Sequence, residues 1–324
     1  MAMPSPGLDV GLPADQGEDG SVLRVKDVLL PLAPEARGGA GILGFACDEG
    51  VRRNHGRPGA AQGPTAIRQM LGRLPIHGRA VIHDAGDVAC TDGDLEAAQE
   101  RLGRRVAELL GCGIHPVVLG GGHEIAYGSF LGLVRHFGDG FPARRPLIIN
   151  LDAHFDLRRA PHPNSGTPFR QIAELCAAKG VEFRYLCFGI SALANTTSLF
   201  ERAENLRVEY WLDEQMREHD RANLRAALGR RLAAADTVYL SIDLDVLPGS
   251  VAPGVSAPAP RGVALEIIED LVDDVIASGK LTLADIAELN PTYDRDGQTA
   301  RIAARLAYKL LKLPLRPPVI ATAA

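Results

Sequence analysis

A chain of 324 residues reads, at about 150 residues per domain, as two domains or one large α/β domain. Its 35 basic and 40 acidic side chains leave a net charge of −5 with no long run of one sign, which argues against nucleic acid and anionic membrane as partners. Hydrophobic residues at 46% and charged residues at 23% supply a sizeable core and exclude wholesale disorder.

Residues 1–22, rich in Gly, Pro, Asp and Glu, are expected to form a flexible N-terminal segment. Short apolar runs then alternate with helical apolar spacing, predicting strand 41–46, helix 63–71, strand 80–84 and helix 94–110. The alternation continues through strand 116–119, helix 124–137, strand 146–151 and helix 168–178. Strand 185–190, helix 221–234, strand 237–244, helix 263–277, strand 281–289 and helix 298–311 complete it. No Pro/Gly/Ser-rich linker interrupts the series. The expected fold class is therefore α/β, a single three-layer α/β/α domain over 23–314 around a mostly parallel central sheet, with a tail at 315–324.

No apolar run reaches the roughly 18 residues of a membrane span, and Met1 to Asp9 has neither a basic nor an apolar leader region, so a cytoplasmic location is expected. The five cysteines, Cys47, Cys90, Cys112, Cys176 and Cys187, include no CxxC pair, and free thiols are expected rather than disulfides or a zinc knuckle.

Ligands of doubly wound sheets bind beyond the carboxyl ends of the strands. Strand 146–151 runs into Asp152-Ala153-His154-Phe155-Asp156, where period-two geometry lets Asp152, His154 and Asp156 face one site. Strand 237–244 ends in Asp243-Leu244-Asp245, whose carboxylates share a face in the same way. Strand 116–119 runs into Gly120-Gly121-Gly122-His123-Glu124, which places His123 at the start of a helix. A single DxD can be a solvated turn, and a Gly run before a helix can cradle a phosphate, but no Walker lysine or GxGxxG accompanies it here. The four aspartates bring about −4, which two divalent cations balance and one does not. Oxygen-rich donors with two imidazoles and no thiolate suit manganese(II) better than structural zinc. Two such ions lower the pKa of shared water and supply a nucleophile, so metal-assisted hydrolysis is the implied reaction class.

These residues resemble the ureohydrolase family, the arginase and agmatinase group of binuclear manganese hydrolases. The resemblance starts at Gly44-Phe45-Ala46-Cys47-Asp48-Glu49-Gly50, continues through Gly63-Pro64-Thr65-Ala66-Ile67-Arg68 and the three metal motifs, and ends at Ala287-Glu288-Leu289-Asn290-Pro291. It implies an arginase-like fold, two Mn2+ per subunit and a trimeric or hexameric homo-oligomer. It further implies that Asp152 and Asp243 bridge the ions, that His123 and Asp156 complete one, and that His154 and Asp245 complete the other. Glu288 is implied as the catalytic carboxylate that holds the substrate's cationic group, with a strand-end salt bridge as the alternative.

Within the family, Gly-Gly-Gly-His-Glu, Asp-Ala-His-Phe-Asp-Leu-Arg and Ser-Gly-Thr-Pro-Phe resemble the formimidoylglutamase branch. That implies hydrolysis of N-formimidoyl-L-glutamate to L-glutamate and formamide in histidine degradation, with a urea-releasing guanidino hydrolase as the alternative. A substrate with two carboxylates calls for a cation, and Arg158, two residues beyond Asp156, is the candidate, its alternative role being an ion pair to a metal carboxylate. Asn195 and Thr196 resemble that branch's loop over the pocket, with a helix N-cap as the alternative. The arginase-like pattern carries a histidine where this chain, aligned by Ser165-Gly166, has Phe169, and the general acid is unassigned.

Overall fold

The computed structural model describes residues 22–78 and 80–313. The expected tail and the N-terminal segment apart from Val22 lie outside them. Nine strands are described: β1 (Leu29–Pro31), β2 (Ala40–Ala46), β3 (Ile82–Ala89), β4 (His115–Leu119), β5 (Pro146–Leu151), β6 (Tyr185–Ile190), β7 (Glu209–Leu212), β8 (Thr237–Asp243) and β9 (Leu281–Ala287). They form one all-parallel sheet in the order β1-β3-β2-β4-β9-β8-β5-β6-β7.

The helices are α1 (Val25–Val28), α2 (Glu49–Arg53), α3 (Gly63–Gly72), α4 (Leu95–Gly111), α5 (Ile125–Phe137), α6 (Pro168–Ala178), α7 (Thr197–Asn205), α8 (Arg221–Ala233), α9 (Leu265–Ala277) and α10 (Gln298–Leu310). Local chemistry starts several of them. The Asp94 carboxylate accepts from Ala97 N–H at the head of α4, and proline occupies the first turn of α3 and of α6, where its missing N–H costs nothing.

β5, β6 and β8 are buried along their whole length, as strands covered on both faces must be. Alternate residues feed two cores. Ile149, Leu240 and Ile242 pack with α3, α8, α9 and α10, whereas Ile148, Cys187, Tyr239 and Leu283 pack with α4, α5, α6 and α7. The result is the expected three-layer α/β/α arrangement.

Three differences from the sequence reading have physical reasons. β1 and β7 are short edge strands with little apolar alternation, and neither was predicted. Helix α7 likewise lies outside the predicted elements, although the sequence offers a helix N-cap at Asn195 or Thr196 as an alternative. The predicted strand 281–289 stops at Ala287 because Glu288 turns the chain with φ of 70°.

Candidate metal centre

The sheet order brings the three motif-bearing strand ends together. β9 lies between β4 and β8, and β5 pairs with the other side of β8, so His123, Asp243 and Asp152 converge although they are far apart in the chain. His123 leaves β4 through a turn in which glycines are compulsory. A Cβ on Gly121 would stand 2.0 Å from the Cys47 carbonyl oxygen, and one on Gly122 would stand 2.1 Å from Glu124 Oε2. The Gly run therefore serves close packing around the histidine.

His123 Nδ1 faces Asp152 Oδ2 at 3.1 Å, Asp156 Oδ2 at 3.0 Å and Asp243 Oδ2 at 3.1 Å. His154 Nδ1 faces Asp245 Oδ2 at 3.0 Å and Asp152 Oδ1 at 3.5 Å. Donor atoms of His123, Asp152 and Asp243 lie within 4.8 Å of one another, and so do those of Asp152, His154 and Asp245. Asp152 belongs to both groups, as a bridging carboxylate must. Asp243 belongs to the first, and Asp156 joins it through its contact with His123.

The electrostatics fit a cationic occupant. Burial opposes charge on His123, yet the carboxylates of Asp152, Asp156 and Asp243 that face it outweigh that and raise its pKa well above the ordinary value. Burial, then the fields of Asp245 and Asp152, push Asp243 well above the carboxylate range. Without metal the cluster thus holds protons where positive charge is needed. His123 Nδ1 has no hydrogen-bond partner and points at acidic oxygens, the geometry of a lone pair aimed at a metal. Four carboxylates and two imidazoles without a thiolate fit two hard divalent cations.

The arginase-family model matches residues 39–312. This chain belongs to the arginase family. Among its relatives, the formimidoylglutamase of Aeromonas salmonicida is 55% identical over 87% of this chain and 89% of that one. That of Paraburkholderia xenovorans is 53% identical over 92% of this chain and 96% of its own length. A formimidoylglutamase structure from Bacillus subtilis superposes with a TM-score of 0.81 at 22% identity, covering 94% of this chain and 96% of that one. A Trypanosoma cruzi formiminoglutamase solved with Mn2+ gives a TM-score of 0.75 at 28% identity, covering 85% and 92%.

Around this arginase-family centre the other sequence-predicted residues take distinct places. Glu288 is buried at the end of β9, and its Oε1 accepts the His123 N–H at 2.9 Å while Oε2 has no partner. Burial, then the nearby Glu124, push its pKa up to about 8. Glu288 and Asp156 both hold left-handed backbone, φ 70° and 49°, conformations that cost about 1–3 kcal/mol each in a non-glycine residue and cluster at functional sites. Arg158 projects into solvent, with Nη1 donating to Asn54 Oδ1 at 3.2 Å, in an open cleft of about 630 Å³ that also holds His55, Arg159 and His162. Its backbone is secured from below, because Arg170 Nε donates to the Arg158 carbonyl and Arg202 Nη1 to that of Leu157.

Asn195 is committed to the backbone of the ligand loop. Its Oδ1 accepts from Phe155 N–H at 3.1 Å, and its Nδ2 donates to the carbonyls of Ala153 at 2.8 Å and Ser191 at 3.0 Å. Thr196 occupies the N-cap position of α7, with its hydroxyl 3.0 Å from Ser198 Oγ. Phe169 is buried edge-on to the His123 ring, centroids 5.4 Å apart, and stacks on Tyr185 at 4.5 Å. Phe169 is thus part of the dry wall behind the His123 ring.

Sequence reasoning missed Arg261. It lines a cavity of about 340 Å³ that reaches His154, together with Ser191, Leu193 and Asp213. Its segment, Ala257-Pro258-Ala259-Pro260-Arg261, carries no ligand signature and reads as loop. Only proximity to His154 in the folded chain marks it.

Proposed function

We propose that this chain hydrolyses N-formimidoyl-L-glutamate to L-glutamate and formamide, as a manganese-dependent, cytoplasmic, homo-oligomeric enzyme of histidine degradation. The observation that carries the reading is the near full-length identity to formimidoylglutamases combined with the retention of His123, Asp152, His154, Asp156, Asp243 and Asp245 in one cluster. His123, Asp156, Asp152 and Asp243 would hold one ion, and His154, Asp245, Asp152 and Asp243 the other. The oxygen-rich donor set supports manganese. Bound there, the two cations supply a water nucleophile at neutral pH.

The protein's own contribution is orientation. Glu288, fixed at Oε1 by the His123 N–H, presents Oε2 to the cationic formimidoyl group and sets the angle at which its carbon meets the nucleophile. Arg158 offers its remaining guanidinium donors to a glutamate carboxylate. Arg261 in the cavity beside His154 is the candidate for the other carboxylate. Phe169 and Tyr185 keep water from the back of His123, which preserves the low dielectric that makes the carboxylates effective ligands.

The test is turnover by manganese-loaded protein of formimidoylglutamate, arginine, agmatine and guanidino acids, with formamide and urea scored separately. Formamide from formimidoylglutamate alone is expected. Urea from a guanidino substrate with no formamide would overturn the assignment.

A further inference from the structure

The wall of the cleft beyond Asp156 holds a side chain that neither the metal centre nor the substrate reading uses. Asn54 closes α2, where its N–H donates to the Gly50 carbonyl at 2.9 Å and His55 follows with left-handed backbone, φ 58°. The neighbouring Arg53 moors that helix end, donating to Glu49 Oε1 at 3.2 Å, Glu96 Oε1 at 2.9 Å and the carbonyls of Gly93 at 2.9 Å and Pro163 at 3.2 Å. Asn54 is therefore a fixed point. From it the amide reaches two residues of the chain between β5 and α6: Oδ1 accepts from Arg158 Nη1 at 3.2 Å, and Nδ2 donates to Ser165 Oγ at 3.1 Å.

Arg158 is the kind of residue that gains from such a point. It is exposed, and among the described residues its guanidinium pairs with no carboxylate. A long side chain left free must be ordered when a ligand binds, which costs affinity roughly 2- to 12-fold. Here the arm is laid down in advance. Arg158 N–H donates to the Gly166 carbonyl at 2.9 Å, and the side chain crosses Gly166 so closely that a Cβ there would stand 2.9 Å from Arg158 Cδ and 3.4 Å from Asn54 Nδ2.

We infer that Asn54 is a positioning residue that presents Arg158 to one carboxylate of the substrate, a conclusion that rests on the formimidoylglutamate reading above. Counting protons fixes the direction of both bonds. A guanidinium only donates, so the amide oxygen must face Arg158 and the amide nitrogen must face Ser165. With both ends engaged the amide cannot turn over, and Arg158 keeps its other donors for an incoming anion. The neutrality of the amide matters as much as its place. A carboxylate at this position would pair with Arg158 outright and set a negative charge beside that of the substrate, whereas the amide orders the cation without neutralising it.

The experiment is steady-state kinetics with formimidoylglutamate at saturating Mn2+, with manganese content and thermal melting measured alongside. The proteins are wild type, Asn54→Ala, Asn54→Asp, Arg158→Ala and the Asn54→Ala/Arg158→Ala double variant. Asn54→Ala is expected to raise KM about 2- to 12-fold with kcat within about twofold of wild type and manganese content unchanged. The double variant should match Arg158→Ala in kcat/KM, because Asn54 acts only through the arginine. Asn54→Asp should raise KM further than Asn54→Ala while its melting temperature does not fall, a separation that a merely structural role does not produce. If Asn54→Ala melts too low to assay, the isosteric Asn54→Asp decides. Wild-type KM in either variant, a loss confined to kcat, or a double variant in which the two losses multiply would overturn the assignment. A wild-type chain that holds manganese yet releases no formamide from formimidoylglutamate would instead refute the substrate reading, and the positioning role with it.

Discussion

Replacing Asn195 by alanine separates two roles that this side chain can play. The residue is 7% exposed and its amide serves Phe155 N–H, the Ala153 carbonyl and the Ser191 carbonyl. Both carbonyls keep another donor, since Ser191 N–H reaches Ala153 O and Ala194 N–H reaches Ser191 O. Their loss is then about 0.5–1 kcal/mol each, whereas the buried Phe155 N–H is left without its partner at about 1–3 kcal/mol. Asn195→Ala should thus lower the unfolding free energy by about 2–5 kcal/mol, measured by urea titration of the manganese-loaded protein. Because the strut sits between His154 and Asp156, manganese occupancy at limiting metal should fall as well. KM for formimidoylglutamate at saturating manganese should stay close to wild type. Stability within about 0.5 kcal/mol of wild type together with a tenfold rise in KM would refute this reasoning and make Asn195 a substrate contact.

Other substitutions probe the centre and its surroundings. Asp152→Asn and Asp243→Asn should each abolish activity and reduce bound manganese below two ions per chain by elemental analysis, and full tight occupancy in Asp243→Asn would contradict its bridging role. Arg158→Ala should cost about 1.5–3 kcal/mol in transition-state binding, or roughly ten- to hundredfold in kcat/KM, with metal content unchanged. Recovery of Arg158→Ala by excess manganese would make the arginine a support for Asp156 instead. Glu288→Gln keeps an acceptor for the His123 N–H, so both metals should be retained while kcat/KM falls by about a hundredfold or more. Thiol titration of the denatured chain without reductant should count five, and in the native state only the half-buried Cys90 and Cys112 should react quickly. A stoichiometric disulfide would contradict the free-thiol reading.

The parts of the fold legible in the sequence are those where burial is extreme. Pro146–Leu151 and Tyr185–Ile190 are buried on both faces and their limits coincide with prediction. Glu209–Leu212, by contrast, is half-buried throughout at the sheet edge, so its pattern Glu-Tyr-Trp-Leu carries no period that separates strand from loop. The metal ligands were legible because period-two spacing survives at strand ends and their chemistry is written in residue type. The buried hydrogen bond from Ser241 on β8 to Asp285 on β9 was not, because the two residues meet only through the register that sets them side by side. Asn195 was legible as important but not in kind, since an amide serves a backbone or a ligand equally well. Arg261 lacked any signal, its approach to His154 being a product of loop packing.

The place of β9 in the sheet has a consequence for the order of events in the cell. Of the described strands it is the last to be synthesised, yet it is inserted between β4 and β8 and so stands between the histidine of one motif and the aspartates of another. A nascent chain that has reached residue 270 already carries His123, Asp152, His154, Asp156, Asp243 and Asp245, but without β9 the strand that leads to His123 has no partner linking it to β8. The chain must therefore insert β9 against the mutual repulsion of four aspartates before His123 can meet Asp152 and Asp243.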